Sequence, residues 1–201
     1  MEIYRDFINE FYSLKNKIIG NCITVNDNSL YFYEFDMRLN KAYIKYSNDK
    51  YINEAISEFL NYNPYVYEFY DYETKKLLRK NEMVYTFKLP ISCIQPSKFF
   101  LKKSKVDFIM NNINPDNIYI PVAIINDEYV CLNNHSLLKA LYDSDYKMVN
   151  VYLAKPGFHI NDFVYVAKEN NITSFKAINL VSDEDYLKYW IPFKKSYFEG
   201  F

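Results

Sequence analysis

The chain has 201 residues, with 24 Lys and Arg against 25 Asp and Glu, for a formal net charge of -1. That length allows one large domain or two small ones, and the charge balance lacks the basic excess usual in nucleic-acid binders. Half the residues are hydrophobic, 22 are Tyr and 16 are Phe, while only 3 are Gly. A real core with half-buried tyrosine rings is therefore expected, a long glycine-rich phosphate loop is excluded, and few turns at positive φ are expected.

The first residues, "MEIYRDFINEF", mix charge with apolar groups and do not read as a signal peptide. Ile3 to Lys17 is predicted as an amphipathic helix, because Ile3, Phe7 and Phe11 fall on one face, with Leu14 continuing it. Gly20 marks its end. "NCITVNDNSLYFYEF" predicts a hairpin turning at Asn26 to Asn28, and Lys41 to Tyr46 a further strand. A helix follows, capped by Ser47, Asn48 or Asp49, with Ile52, Ala55, Ile56, Phe59 and Leu60 on its buried face. "NPYVYEFYDYETKKLLRKNEMVYTFKLP" reads as strand, turn at "RKNE", strand.

From Tyr85 the pattern changes. "FKLPISCIQPSKFF" is an apolar strand broken at Gln-Pro-Ser, and "SKVDFIMNNI" a short helix. "IYIPVAII", "NDE" and "YVCL" form a hairpin, His135 to Tyr142 a helix, and Lys147 to Leu153 a closing strand. "INDFVYVAKENN" and "SDEDYLKYWI" are two final helices, each with an Asp or Ser start signal. This order predicts an α+β unit. The boundary is placed near Met83, giving an N-terminal α+β segment over residues 1–82 and an α+β domain with C-terminal helices over residues 83–201. No stretch is rich enough in Gly or Ser to be a flexible linker.

"LPISCIQPS", Leu89 to Ser97, then "IPVAIINDEYVCLNNHSLLKAL", then "ENNITSFKAINLVSDEDYLKYW" resemble three boxes of the ParB/sulfiredoxin-like superfamily, more narrowly an uncharacterised bacterial branch of ParB-like proteins. The resemblance covers Phe87 to about Pro192. It implies a mixed sheet with helices and a phosphate-facing segment between the second strand and the helix. ParB proteins bind a nucleotide there, and sulfiredoxin and a serine kinase do phosphoryl chemistry there. The physics is general. The first turn of a helix offers unpaired N–H groups and the positive end of its dipole.

The family's box reads Asp-Gly-His-Thr-Arg. Here Asn133 stands for Asp, Asn134 for Gly, His135 is kept, Ser136 replaces Thr and Leu137 replaces Arg. Losing the Arg removes a charged hydrogen bond worth about 1.5–3 kcal/mol. Asn134 tolerates the left-handed conformation better than most residues. The resemblance thus implies a ligand site at Asn133, Asn134, His135, Ser136 and Lys139, joined by Gln95 and Ser97 of the first box. The expected ligand is a nucleotide, with Mg as its companion, or another phosphorylated molecule. Binding is weak, or has been lost in favour of a protein partner.

Three rival readings accompany this one. In an enzyme of the same superfamily, His135 acts as general acid–base with a nearby carboxylate. In a structural role, His135 caps the helix and ties the loop to the sheet, with Asn133, Asn134 and Ser136 as ordinary cap residues. In a nucleic-acid role, Lys102, Lys103 and Lys105 share a face with Lys15 and Lys17, but no helix-turn-helix is found. Cys22, Cys93 and Cys131 have no metal or disulfide spacing, so a reducing, cytoplasmic location is expected. Cys93 and Cys131 are expected in the core. His159 has no neighbouring ligand residue for a metal, and Trp190 with Tyr186 reads as a packed helix face. No apolar run approaches membrane-spanning length.

Overall fold

The structure, a computed structural model, describes residues 1–6, 22–112 and 118–196. The chain divides into two compact units, Met1–Tyr85 and Thr86–Phe201.

The first unit is a six-stranded sheet whose strands lie in chain order. β1 (Glu2–Asp6), β2 (Cys22–Asn26), β3 (Leu30–Arg38) and β4 (Lys41–Tyr46) form an antiparallel meander. α1 (Ile52–Tyr62) then carries the chain to β5 (Glu68–Asp71), parallel to β4, and β6 (Leu77–Lys80) closes the edge. Alternation along β3 buries Tyr33, Phe35 and Met37. Helical spacing on α1 buries Ala55, Ile56 and Phe59. The two faces meet where Phe59 stacks on Phe35 at 4.1 Å and meets Phe69 edge-on at 6.0 Å, contacts worth about 0.5–1.5 kcal/mol each beyond the area they bury. On the other sheet face Tyr43 stacks on Tyr70 at 5.3 Å, and Lys45 lies 4.4 Å over Tyr72. Part of the tyrosine excess is spent there, as rings solvated by cations.

Three expectations for this unit are corrected. Residues 2–6 are a strand paired with β2, not the start of a helix. The rest of the predicted helix and Gly20 lie outside the described residues. The last hairpin turns at 72–76, not at "RKNE". Asp71 Oδ1 accepts the Thr74 N–H at 2.6 Å and its hydroxyl at 2.8 Å, which fixes the turn there. None of Ser47, Asn48 or Asp49 caps α1. The cap position is Tyr51, whose N–H donates to the Tyr33 hydroxyl at 3.0 Å, while Asn48 accepts from the Lys50 N–H at 2.9 Å.

The second unit is α+β. β7 (Thr86–Pro90), a 3-10 turn (Ile91–Cys93), β8 (Ile94–Gln95) and β9 (Phe100–Lys102) lead into α2 (Lys103–Asn112). β10 (Tyr119–Ile125), β11 (Glu128–Cys131), α3 (His135–Asp143), β12 (Met148–Leu153) and α4 (Ile160–Glu169) follow. The five-stranded sheet is mixed, in the order β7-β12-β10-β11-β8. β10 runs parallel to β12 and β11 parallel to β8, with antiparallel pairs elsewhere. β13 (Asn179–Val181) pairs with β9 in a separate parallel ladder. The chain then runs through the one-turn α5 (Asp183–Asp185), five π-helical residues (Tyr186–Trp190) and α6 (Ile191–Ser196). Ser182 caps this run, its hydroxyl accepting the Asp185 N–H at 3.0 Å, as its start signal predicts. The core joins Val122, Val151, Leu138, Phe163, Ala167 and Trp190.

The near-absence of glycine does not suppress positive φ. Among the described residues Asn28, Asn126, Asp127, Asn134, Asp145 and Asn171 adopt it, with Leu39 and Lys75. Asn and Asp take over glycine's work because their short polar side chains tolerate the left-handed region. Asn126 and Asp127 form the two-residue β10–β11 turn, with φ of 49° and 63°, the geometry a type I′ hairpin demands. Cys93, expected in the core, is exposed.

Candidate functional site

β11 ends at Cys131 and the chain turns through Leu132, Asn133 and Asn134 into α3. Asn134 holds the turn at φ 62° and ψ 27° and sits at the N-cap position. Its side chain makes no capping bond. Asn133 Oδ1 instead accepts the Asn134 N–H at 2.8 Å. Cys131 is fully buried and its thiol donates to the Asn133 carbonyl at 2.9 Å. Burial pushes that thiol far above its ordinary pKa, which leaves it uncharged and a poor nucleophile.

His135 is 2% exposed. Its Nε2 accepts the Ser97 N–H at 3.1 Å, while the Ser97 hydroxyl, 3.1 Å from the same nitrogen, donates to the Cys131 carbonyl at 2.7 Å. With Nε2 accepting, the ring proton belongs on Nδ1, a buried nitrogen with no hydrogen-bond partner among the described residues. Burial first, then the charge of Lys98, holds the imidazole pKa well below its usual value. His135 is thus a neutral imidazole tying α3 to the segment after β8.

The other residues expected at a ligand divide in the same way. Gln95 is buried, and its amide donates to the carbonyls of Pro96 at 2.8 Å and Ile172 at 2.9 Å. Lys139 is buried and ion-paired with Asp143 at 2.6 Å. Ser136 is partly exposed on the first turn of α3. Of the lysines weighed for a nucleic-acid face, Lys102 pairs with Asp183 at 3.2 Å. Lys103 and Lys105 are exposed, and Lys15 and Lys17 lie outside the described residues.

The cavity beside the loop is lined by residues from all three boxes and from α4 and α6. Its volume is about 170 Å³, and its walls include Ser97, Lys98, Asn133, His159, Trp190 and Lys194. Leu132, Ile160 and Phe163 add apolar surface. Trp190, brought inward at the end of the π-helical turn, is 1% exposed and packs edge-on to Phe99 at 5.2 Å and Phe163 at 5.7 Å. Lys98 Nζ stands 5.3 Å from the centre of the Trp190 ring. Lys98 is partly buried and has no carboxylate partner among the described residues. Burial, helped by the charges of Lys105 and Lys194, lowers its pKa to about 8. His159 sits at the N-cap position of α4, and burial with the charge of Lys194 lowers its pKa against the opposing pull of Asp162. Gly157 is packed so closely that a Cβ there would lie 2.9 Å from the His159 ring. Only glycine leaves that imidazole where it is.

Ser97 and Asn133 are among the residues expected at a ligand, and Lys98 is not. The distinguishing signal, "SK" directly after the Gln-Pro break, sits where the chain turns inward between β8 and β9. A second depression, of about 450 Å³ beside α1, is broad and open and has Glu54 and Glu58 on its wall. Among the described residues no cluster of His, Cys, Asp and Glu is arranged to hold a metal, and no helix is long and apolar enough to cross a membrane.

No family model matches the sequence, and no curated protein matches it. Among solved structures, the chain is similar to protein Atu1540 from Agrobacterium tumefaciens, at 14% identity and a TM-score of 0.38 over 51% of this chain. It is also similar to the C-terminally truncated chromosome-partitioning protein ParB from Caulobacter crescentus complexed with CTP-gamma-S, at 16% identity and a TM-score of 0.33 over 55% of this chain. The chain spans 64% of the length of each of these two proteins.

Proposed function

We propose that residues 86–201 form a ParB-like binding module that takes a phosphorylated ligand beside the β11–α3 loop. The observation that carries this reading is Lys98. A partly buried ammonium that no carboxylate balances is costly to keep, and an anion in the cavity is the partner that would relieve it. Asn133 and Ser97 bring the loop and the first box to the same cavity. Binding is favoured over phosphoryl transfer because His135 is neutral with Nε2 already engaged, and among the described residues no carboxylate lines the cavity.

The test is thermal unfolding with CTP, ATP, GTP and ADP, each with magnesium, and with phenyl phosphate without metal, on the wild type, Ser136→Ala and Lys98→Met. A ligand that binds only the folded state stabilises it, by about 2.7 kcal/mol at one hundred times its dissociation constant. A rise with at least one phosphorylated compound that Lys98→Met abolishes is expected. No rise with any of them overturns the reading.

A further inference from the structure

The size and charge of the Lys98 cavity narrow the ligand class, and this step rests on the reading just proposed. We infer that the cavity takes a compact phosphate dianion, the terminal group of a phosphomonoester, without a bridging divalent metal, and that it excludes a triphosphate–magnesium head. At about 170 Å³ the cavity falls below the roughly 300–1,000 Å³ of pockets that engulf drug-sized ligands. A phosphate group fits and a whole nucleotide does not. A phosphomonoester carries about 1.5 to 2 negative charges at neutral pH. Lys98 and Lys194 are the two lysines on the cavity wall, and among the described residues no carboxylate lines it. A triphosphate brings more charge than two lysines balance, and its magnesium is usually held by one or two carboxylates.

The remaining walls suit the same group. Asn133 uses its amide oxygen on the Asn134 N–H, which leaves its NH2 as a donor to a phosphate oxygen. Trp190, Phe163, Ile160 and Leu132 make the other walls apolar, so a charged hydrogen bond made there is little weakened by water. Phe158, next to His159 and 70% exposed, meets the His159 ring edge-on at 5.3 Å. It offers a ring face to the organic part of an ester outside the cavity.

The experiment is isothermal titration of the full chain in buffer containing EDTA, with phenyl phosphate, inorganic phosphate, phenyl sulfate and CTP, and with CTP and magnesium in a chelator-free series. Phenyl phosphate is expected to bind without metal, and more tightly than the monoanionic phenyl sulfate. Lys98→Met is expected to weaken it at least about tenfold, the lower end for a lost charged hydrogen bond. Lys98→Gln and Asn133→Ala provide independent checks that the loss is local. Equal binding of inorganic phosphate means the dianion alone is read, and weaker binding means the ester's organic part contributes. Both outcomes support the inference. Lys98-dependent binding of CTP with magnesium but not of phenyl phosphate overturns the inference and leaves the proposed function standing. Phenyl phosphate binding unchanged by Lys98→Met places the site elsewhere and overturns the inference as well. Failure of every phosphorylated compound removes both.

Discussion

His135 is a buried base and Lys98 a partly buried one, and the protein handles them in opposite ways. His135 is kept neutral and given a donor, the Ser97 N–H. Truncating His135→Ala leaves that buried N–H unpaired and opens a cavity, so about 3 kcal/mol of stability should be lost in denaturant unfolding. Because its folded pKa is depressed, the unfolded state binds the extra proton. The wild type should therefore lose stability as pH falls through about 6.5, a slope that His135→Gln should flatten. Lys98 keeps its charge below a folded pKa of about 8, against about 10.4 for the unfolded chain. Stability should rise as pH climbs through that window. Without ligand, Lys98→Met keeps the packed stem and should be more stable than wild type at pH 7, by on the order of 2 kcal/mol after discounting for residual solvent. That advantage should fade toward pH 10. A Lys98→Met variant less stable than wild type at pH 7 would mean the ammonium is already satisfied. The chain itself signals that Asn133 to Ser136 is a turn into a helix. It cannot signal which lysine lacks a partner, because that depends on where every carboxylate ends up in space.

At the scale of elements, the lesson lies in which residues bend the backbone. The glycine count argued against positive φ, yet among the described residues six Asn and Asp adopt it. Leu39 and Lys75 are the costly exceptions, and Leu39 lies at φ 58°, exposed between β3 and β4. Leu39→Asn should stabilise the first unit by about 1 kcal/mol, since a branched side chain in the left-handed region costs roughly that much. The check is the denaturation midpoint at unchanged slope. The contrast at Asn134 runs the other way. Asn134→Gly should be nearly neutral, while Asn134→Ala should cost about 1 kcal/mol and weaken phosphate binding by shifting Asn133. Strands and helices with clear alternation, such as Lys41 to Tyr46, are legible in advance. Ile3 to Lys17 carries a helical spacing, yet residues 2–6 pair with β2. Ladder bonds to a neighbouring strand decide that contest, and a local pattern cannot register a neighbour.

At the scale of the whole molecule, the strand ladders stop between β6, which ends at Lys80, and β7, which starts at Thr86. Residues 81–85 lie outside any helix or strand, and Met83 and Tyr85 are 72% and 76% exposed. The segment 154–158 is likewise irregular, with Phe158 exposed. Exposed segments without ladder bonds are where proteases cut. Limited chymotrypsin digestion should therefore cut first after Tyr85 and after Phe158 among the described residues, with fragments identified by mass. The two cuts should respond differently to ligand. Phe158 adjoins His159 on the wall of the cavity proposed for the ligand, so phenyl phosphate should slow that cut, and Tyr85 should be cut at the same rate with or without it. If residues 86–201 carry the binding module alone, the fragment starting at Thr86 should keep the phenyl phosphate shift in its melting temperature. A fragment that unfolds once Tyr85 is cut would show that the second unit needs the first, and would give residues 1–85 a stabilising role. An intact fragment that has lost the shift would instead overturn the assignment of binding to residues 86–201.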